Sequence, residues 1–153
     1  TETRPSFSKG RGFQVSLLQV STRDTCYLFR LHLTGITPAI IRFLEDKTVP
    51  KVGLSWHDDL LQLHKRAEFK PGYFIELQDE AKKFGLQDMS LQKLYANLFH
   101  QKISKAQRLS NWEASELKDS QMAYAATDAW CCINLYEELL RLKQVGDYEL
   151  DEL

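Results

Sequence analysis

A chain of 153 residues suits one domain with a single sizeable core and leaves little room for a second. With 43% hydrophobic and 27% charged residues the composition is that of a folded globular protein, which argues against a disordered chain, and no apolar run approaches the roughly 20 residues of a spanning helix. Twenty Lys plus Arg against 21 Asp plus Glu leave a net charge of −1, so overall charge will not attract nucleic acid; a local basic patch or bound metals would have to hold it.

The opening Thr1-Glu2-Thr3-Arg4-Pro5 has no capping or turn pattern of its own and reads as the end of an element that began earlier. Ser8 to Gly12 is a basic loop with no helix behind it, hence a solvated turn rather than a phosphate cradle. Phe13 to Val20 and Thr25 to Leu31 are two apolar strands, joined through Ser21 to Asp24 as an antiparallel hairpin. Thr37-Pro38 opens a helix with Ile40, Ile41, Phe43 and Leu44 on its apolar face. Pro50 to Leu54 is a short strand, His57 to Ala67 an amphipathic helix, Gly72 to Leu77 a further strand, Asp79 to Phe84 a short helix and Ser90 to Phe99 another. A polar, basic connection from His100 to Glu116 leads to a long helix from about Asp119, its apolar stripe formed by Met122, Ala125, Ala129, Cys132, Ile133, Tyr136, Leu139 and Leu140. The acidic tail, Gly146 to Leu153, frays. Strands alternating with helices and no internal repeat give one α/β domain over residues 1–145. Three cysteines without metal-ligand spacing read as buried thiols in a reducing, intracellular setting, cytoplasmic if the source is bacterial.

On the last helix Tyr124 and Asp128 are four apart, so a phenol and a carboxylate share one face about one turn from each other, beside the apolar stripe. An isolated pair of this kind is most often only a surface hydrogen bond. Two further carboxylates stand at element ends, Glu2 at the start and Asp59 in the first turn of the helix after Val52-Gly53-Leu54, and such ends can meet at one edge of a sheet. Carboxylates brought together repel unless a cation neutralises them, and hard oxygen ligands suit Mg²⁺ or Mn²⁺. A pair of such ions about 4 Å apart would serve phosphodiester hydrolysis.

In these stretches the chain resembles the 3′→5′ exonucleases of the DEDD superfamily, in the subclass whose third motif carries a tyrosine, and above all the branch of the Werner syndrome protein's exonuclease domain and ribonuclease D. Thr1-Glu2 is similar to the end of that family's Asp-x-Glu; Val52-Gly53-Leu54-Ser55-Trp56-His57-Asp58-Asp59 is similar to its second motif, with Ser55 where many members carry Asn; Tyr124-Ala125-Ala126-Thr127-Asp128 matches the third in full; Leu109-Ser110-Asn111-Trp112 is similar to the segment that precedes it. The motifs stand in the family's order over almost the whole chain.

The resemblance implies a ribonuclease H-like α/β fold, with helices flanking a mixed central sheet whose first strand is missing from the given chain. It implies two divalent cations, Mg²⁺ or Mn²⁺, with Glu2 and Asp128 holding one and Asp59 helping to hold the other. Tyr124 would hydrogen-bond the attacking water or the scissile phosphate, and no histidine base is required; His57 reads as a surface residue. Backbone at Thr1 and Glu2 would meet the terminal 3′-hydroxyl. Lys105 and Arg108, with Lys102, form a basic cluster suited to phosphates. Trp112 could stack on a base or sugar, or anchor its loop to the core. Arg4 and Arg11 are weaker candidates, and Trp56 and Phe99 belong to the core.

The family motif calls for an aspartate directly before Thr1, so upstream residues are expected in the full polypeptide. The expected activity is removal of nucleoside 5′-monophosphates from a nucleic-acid 3′ end, DNA favoured over RNA, with a ribonuclease D-like trimming role left open. A catalytically impaired nucleic-acid-binding module is the alternative from another class, favoured by the aspartate missing before Thr1 and by Ser55, and opposed by the retention of Glu2, Asp59, Tyr124 and Asp128 together. A generic interaction domain is a weaker third.

Overall fold

The computed structural model describes residues 1–8, 10, 12–87 and 90–146. Lys9, Arg11 and the acidic tail beyond Gly146 lie outside the described residues. Strands β1 (Leu17–Ser21) and β2 (Cys26–Arg30) form the expected antiparallel hairpin, Leu17 opposite Arg30 and Ser21 opposite Cys26. Thr22 closes its turn: the Thr22 N–H donates to the Thr25 carbonyl at 2.8 Å and the Thr25 N–H donates to Thr22 Oγ1 at 3.2 Å. The strands are shorter than the apolar runs. Phe13 to Ser16 precede the ladder, and at Leu31 the chain turns into the short helix α1 (Leu31–Thr34), the Leu31 N–H still donating to the Ser16 carbonyl.

Side chains alternate across β1, and the alternation sets the layers. Leu18 and Val20 face a cluster with Leu31, Ile40, Leu44, Leu63 and Phe69, which brings helix α2 (Pro38–Glu45) and helix α3 (Trp56–His64) onto one side. Leu17 faces the other side, where it packs against Trp112 and Ala125. Helix α2 starts where the sequence marks it, with the Ile40 N–H donating to Thr37 Oγ1 at 3.3 Å and Pro38 in the first turn. Strand β3 (Lys51–Gly53), helix α3 and strand β4 (Phe74–Glu76) form a βαβ unit, the strands parallel with Lys51 opposite Phe74. Helix α4 (Leu77–Lys82) follows at once, and helix α5 (Leu91–Phe99) is capped by Ser90, whose Oγ accepts from the Lys93 N–H at 3.2 Å.

Both strand directions are therefore present. Among the described residues the ladders form two two-stranded sheets, β1 with β2 and β3 with β4, and Glu2 adds an isolated antiparallel bridge to Leu17 on the edge of β1 away from β2.

Helix α6 (Asp119–Val145) runs for 27 residues, roughly 40 Å, along the molecule. Lys118 rather than Asp119 is the residue before its first turn; the Lys118 N–H donates to Gln121 Oε1 at 2.9 Å, and Asp119 places its charge in the first turn, where the helix dipole favours it. Its buried row is Gln121, Ala125, Cys132, Leu135, Leu139 and Leu142, with Cys131 beside it. These steps of four and three residues leave one vacant place, at 128, and Asp128 fills it half-buried. The expected stripe is corrected here: Met122 and Leu140 are 37% and 40% exposed. The Gln121 amide takes the inward place because it satisfies Lys118 at one end and donates to the Asn111 carbonyl, 3.2 Å away, at the other. No helix among the described residues is long and apolar enough to cross a membrane.

Candidate active site

Three elements bring the carboxylates together. Glu2 is fixed by its bridge: its N–H donates to the Leu17 carbonyl at 3.0 Å, and its own carbonyl accepts from Ser16 and Leu17 at 2.9 and 3.1 Å. Its carboxylate accepts from Gln19 Nε2 at 3.3 Å. Asp59 comes from the first turn of α3, where its Oδ1 accepts from Thr1 Oγ1 at 2.7 Å. Asp128 comes from α6, one turn beyond Tyr124.

Helix α3 is held in place by a residue the sequence reading did not single out. Glu76, at the end of β4, accepts the Ser55 N–H at 2.9 Å and the Trp56 N–H at 2.7 Å, and also the Gln78 N–H at 3.2 Å. Gln78 Nε2 in turn donates to Ser55 Oγ at 3.2 Å. An ionised carboxylate on the free N–H groups of a helix start is a charge-assisted cap, favoured also by the dipole. Ser55 itself has φ 60°, a left-handed backbone that Asn tolerates better than Ser. Gly53 is required for another reason: a Cβ there would lie 2.6 Å from the Trp56 ring, which packs edge-on against Phe74 with centroids 4.8 Å apart.

Burial dominates the electrostatics. It pushes the Glu2 carboxyl up to about 7, reinforced by Asp128, opposed by the Gln19 amide and reinforced again by Asp59. Burial likewise pushes Asp128 up to about 6, against the Tyr124 hydroxyl, which favours its charge. The Tyr124 phenol is pushed well above its ordinary value, first by burial and then by Asp128 and Glu2, with Arg108 pulling the other way. Tyr124 is thus a neutral donor at any physiological pH.

Asp128 Oδ1 is buried and has no hydrogen-bond partner among the described residues. A carboxylate oxygen left so, beside a second carboxyl whose charge is also disfavoured, is a donor set that a hard divalent cation would satisfy. Among the described residues no group of three or more His, Cys, Asp or Glu side chains is already arranged to hold a metal ion, so the carboxylates converge without forming a finished cage.

The remaining expected residues divide. The Thr1 side chain is buried against Asp59. Arg108 is exposed yet near enough to Tyr124 to act on its phenol, and Lys105 is exposed on the same turn, where the Arg108 N–H donates to the Lys105 carbonyl at 3.1 Å. His57 is exposed. Trp112 as a stacking platform is corrected: its ring is fully buried with Leu17 and Ala125, 6.0 Å from the Tyr124 ring, so it anchors the loop and packs behind Tyr124. Arg30 fastens that loop from β2 by donating to the carbonyls of Trp112, Ala114 and Ser115.

With this geometry in view, the chain compares with known proteins as follows. The sequence profile of a family described as 3′-5′ exonuclease matches residues 1–143. The chain is 34% identical over 131 residues to exonuclease 3′-5′ domain-containing protein 2 of Drosophila melanogaster, covering 83% of this chain and 22% of that protein. It is 29% identical over 144 residues to the bifunctional 3′-5′ exonuclease/ATP-dependent helicase WRN of Mus musculus, covering 90% of this chain and 10% of the relative. The chain thus spans between a tenth and about a quarter of these relatives. Among solved structures, Brucella melitensis NrnC with bound Mg²⁺ has the same fold, with a TM-score of 0.73, 23% identity, and coverage of 88% of this chain and 67% of that one.

Proposed function

The chain belongs to the 3′-5′ exonuclease family, with the ribonuclease H-like α/β fold, and from that premise we propose that it hydrolyses phosphodiester bonds at the 3′ end of nucleic acid, DNA in preference to RNA, and releases nucleoside 5′-monophosphates. The observation that carries this reading is the buried, unpartnered Asp128 Oδ1 beside Glu2 and Tyr124, a polar arrangement that packing alone does not explain. It is costly in the metal-free chain and useful only with a cation present.

In this reading Glu2 and Asp128 hold one divalent cation and Asp59 helps to hold a second, Mg²⁺ or Mn²⁺; the Mg²⁺ in the Brucella melitensis NrnC structure supports the choice of metal. Bound there, the cations would activate water and stabilise the leaving 3′ oxygen. Tyr124, protonated throughout, donates a hydrogen bond to the attacking water or to a scissile phosphate oxygen and fixes the line of attack. Trp112 and Leu17 hold the Tyr124 ring from behind. Backbone at Thr1 and Glu2 meets the terminal 3′-hydroxyl. Arg108, whose charge acts on Tyr124, and Lys105, exposed on the same turn, meet phosphates of the incoming strand and read no bases.

One observation favours a second reading, a nucleic-acid-binding module on the same fold: among the described residues no three ligands are already gathered. Incubating 5′-labelled DNA and RNA strands with Mn²⁺ or Mg²⁺, beside Asp128→Ala and a chelator control, separates the two. A ladder shortening from the 3′ end that both controls abolish is the expected result, its relative rate naming the sugar preferred. An intact label on strands that bind would instead support the module.

A further inference from the structure

On the face of β1 that looks toward α6, the inward row runs Leu17, Gln19, Ser21, and the polar Gln19 stands where Leu or Val would pack as well. Its Nε2 donates twice, to Glu2 Oε1 at 3.3 Å and to the Ala125 carbonyl at 3.4 Å. Its Oε1 is buried and finds no hydrogen-bond partner among the described residues. The orientation of the amide follows from chemistry, since the opposite one would turn Oε1 onto a carboxylate and a carbonyl, both acceptors. A buried carbonyl oxygen without a donor is unfavourable, so the residue is accounted for by its donor end alone.

Those two acceptors belong to different parts of the site. Glu2 lies on the strand edge; Ala125 follows Tyr124 and lies one turn before Asp128 on α6. One amide therefore ties the carboxylate of the first motif to the backbone of the third.

We propose that Gln19 is a positioning residue that fixes the Glu2 carboxylate relative to the Tyr124–Asp128 helix, so that Glu2 and Asp128 face a shared cation with their separation already set. The inference rests on the exonuclease reading and adds to it a residue outside the motifs. Groups that orient a metal ligand through a hydrogen bond commonly change metal affinity about 10–100-fold when lost.

Gln19→Met keeps the length and volume of the side chain and removes the donor. In Mn²⁺ titrations of the full chain, affinity should fall about 10–100-fold, while the melting temperature of the metal-free protein does not drop. Cleavage of an oligonucleotide should show reduced kcat at limiting Mn²⁺, recovery as Mn²⁺ is raised, and an unchanged KM for the strand. In the metal-free wild type, the Gln19 side-chain amide resonances should move on Glu2→Ala. A Met variant with wild-type Mn²⁺ affinity, or Gln19 resonances blind to Glu2→Ala, would overturn the positioning role alone. A wild-type chain that takes up no Mn²⁺ would overturn the exonuclease reading, and the Gln19 resonances then decide separately whether the amide holds Glu2.

Discussion

The two halves of α6 occupy the same buried row with opposite chemistry. From Cys131 to Leu142 the row is thiol and leucine against α4 and α5, closed around Leu77, Ala81, Leu94 and Tyr95. From Gln121 to Asp128 it is amide, alanine and carboxylate against the hairpin and Glu2. The difference teaches where stability and chemistry are separately located: the second half anchors the helix, and the first half can carry a disfavoured carboxylate because the anchor holds it there.

The sharpest break is at position 128. Asp128→Asn should lower cleavage by more than the roughly 10–100-fold that loss of an orienting group costs, while raising metal-free stability because a charge disfavoured by burial is gone; labelled-strand assays and urea unfolding read the two effects. Leu135→Ala tests the other half. It should cost about 2–5 kcal/mol in urea unfolding with cleavage per folded molecule unchanged, and a loss of cleavage without loss of stability would erase the division.

How much of this is readable in the sequence depends on distance along the chain. Asp59, Tyr124 and Asp128 lie in short local patterns whose helical spacing gives their direction. Gln19 and Glu76 are silent because what explains them is remote: Gln19 reaches Glu2 across 17 positions and Ala125 across 106, and Glu76 reaches back 20 and 21 positions to Trp56 and Ser55. Trp112 shows the same limit. An indole in a polar loop is equally suited to a base and to a core, and only Leu17 and Ala125 across the fold decide for the core. The inward row of α6 was displaced by one residue at its start for a comparable reason, since the Gln121 amide is drawn inward by Lys118 and Asn111 rather than by apolarity.

Proton linkage gives a third, intermediate effect. Glu2 and Asp128, raised to about 7 and about 6 in the folded chain from 4.5 and 3.8, bind protons more tightly when folded. Their contribution is fully present below about pH 4 and is lost in the metal-free protein as pH rises through 6 and 7. Unfolding measured from pH 5 to 8 in chelator should show that decline, and excess Mg²⁺ should flatten it. In the C-terminal half, Cys131 and Cys132 are raised to about 11 and about 12, first by burial, and remain neutral thiols over this range.

Smaller effects test the supports. Glu76→Ala should cost about 1 kcal/mol as a lost helix cap and reduce kcat with little change in strand KM, because α3 then carries Asp59 less firmly. Arg108→Ala should weaken strand binding evenly across sequences and reduce the salt slope by about one phosphate contact.

The most direct test of the account is a calorimetric Mn²⁺ titration at pH 6.5 in two buffers of different ionisation enthalpy, on the wild type and Asp128→Asn. With Glu2 raised to about 7, a cation taken up by Glu2 and Asp128 must displace a proton, so wild type should show saturable binding whose heat depends on the buffer, and Asp128→Asn should lose it. Binding that releases no proton, or survives unchanged in Asp128→Asn, would place the metal elsewhere and contradict the site described.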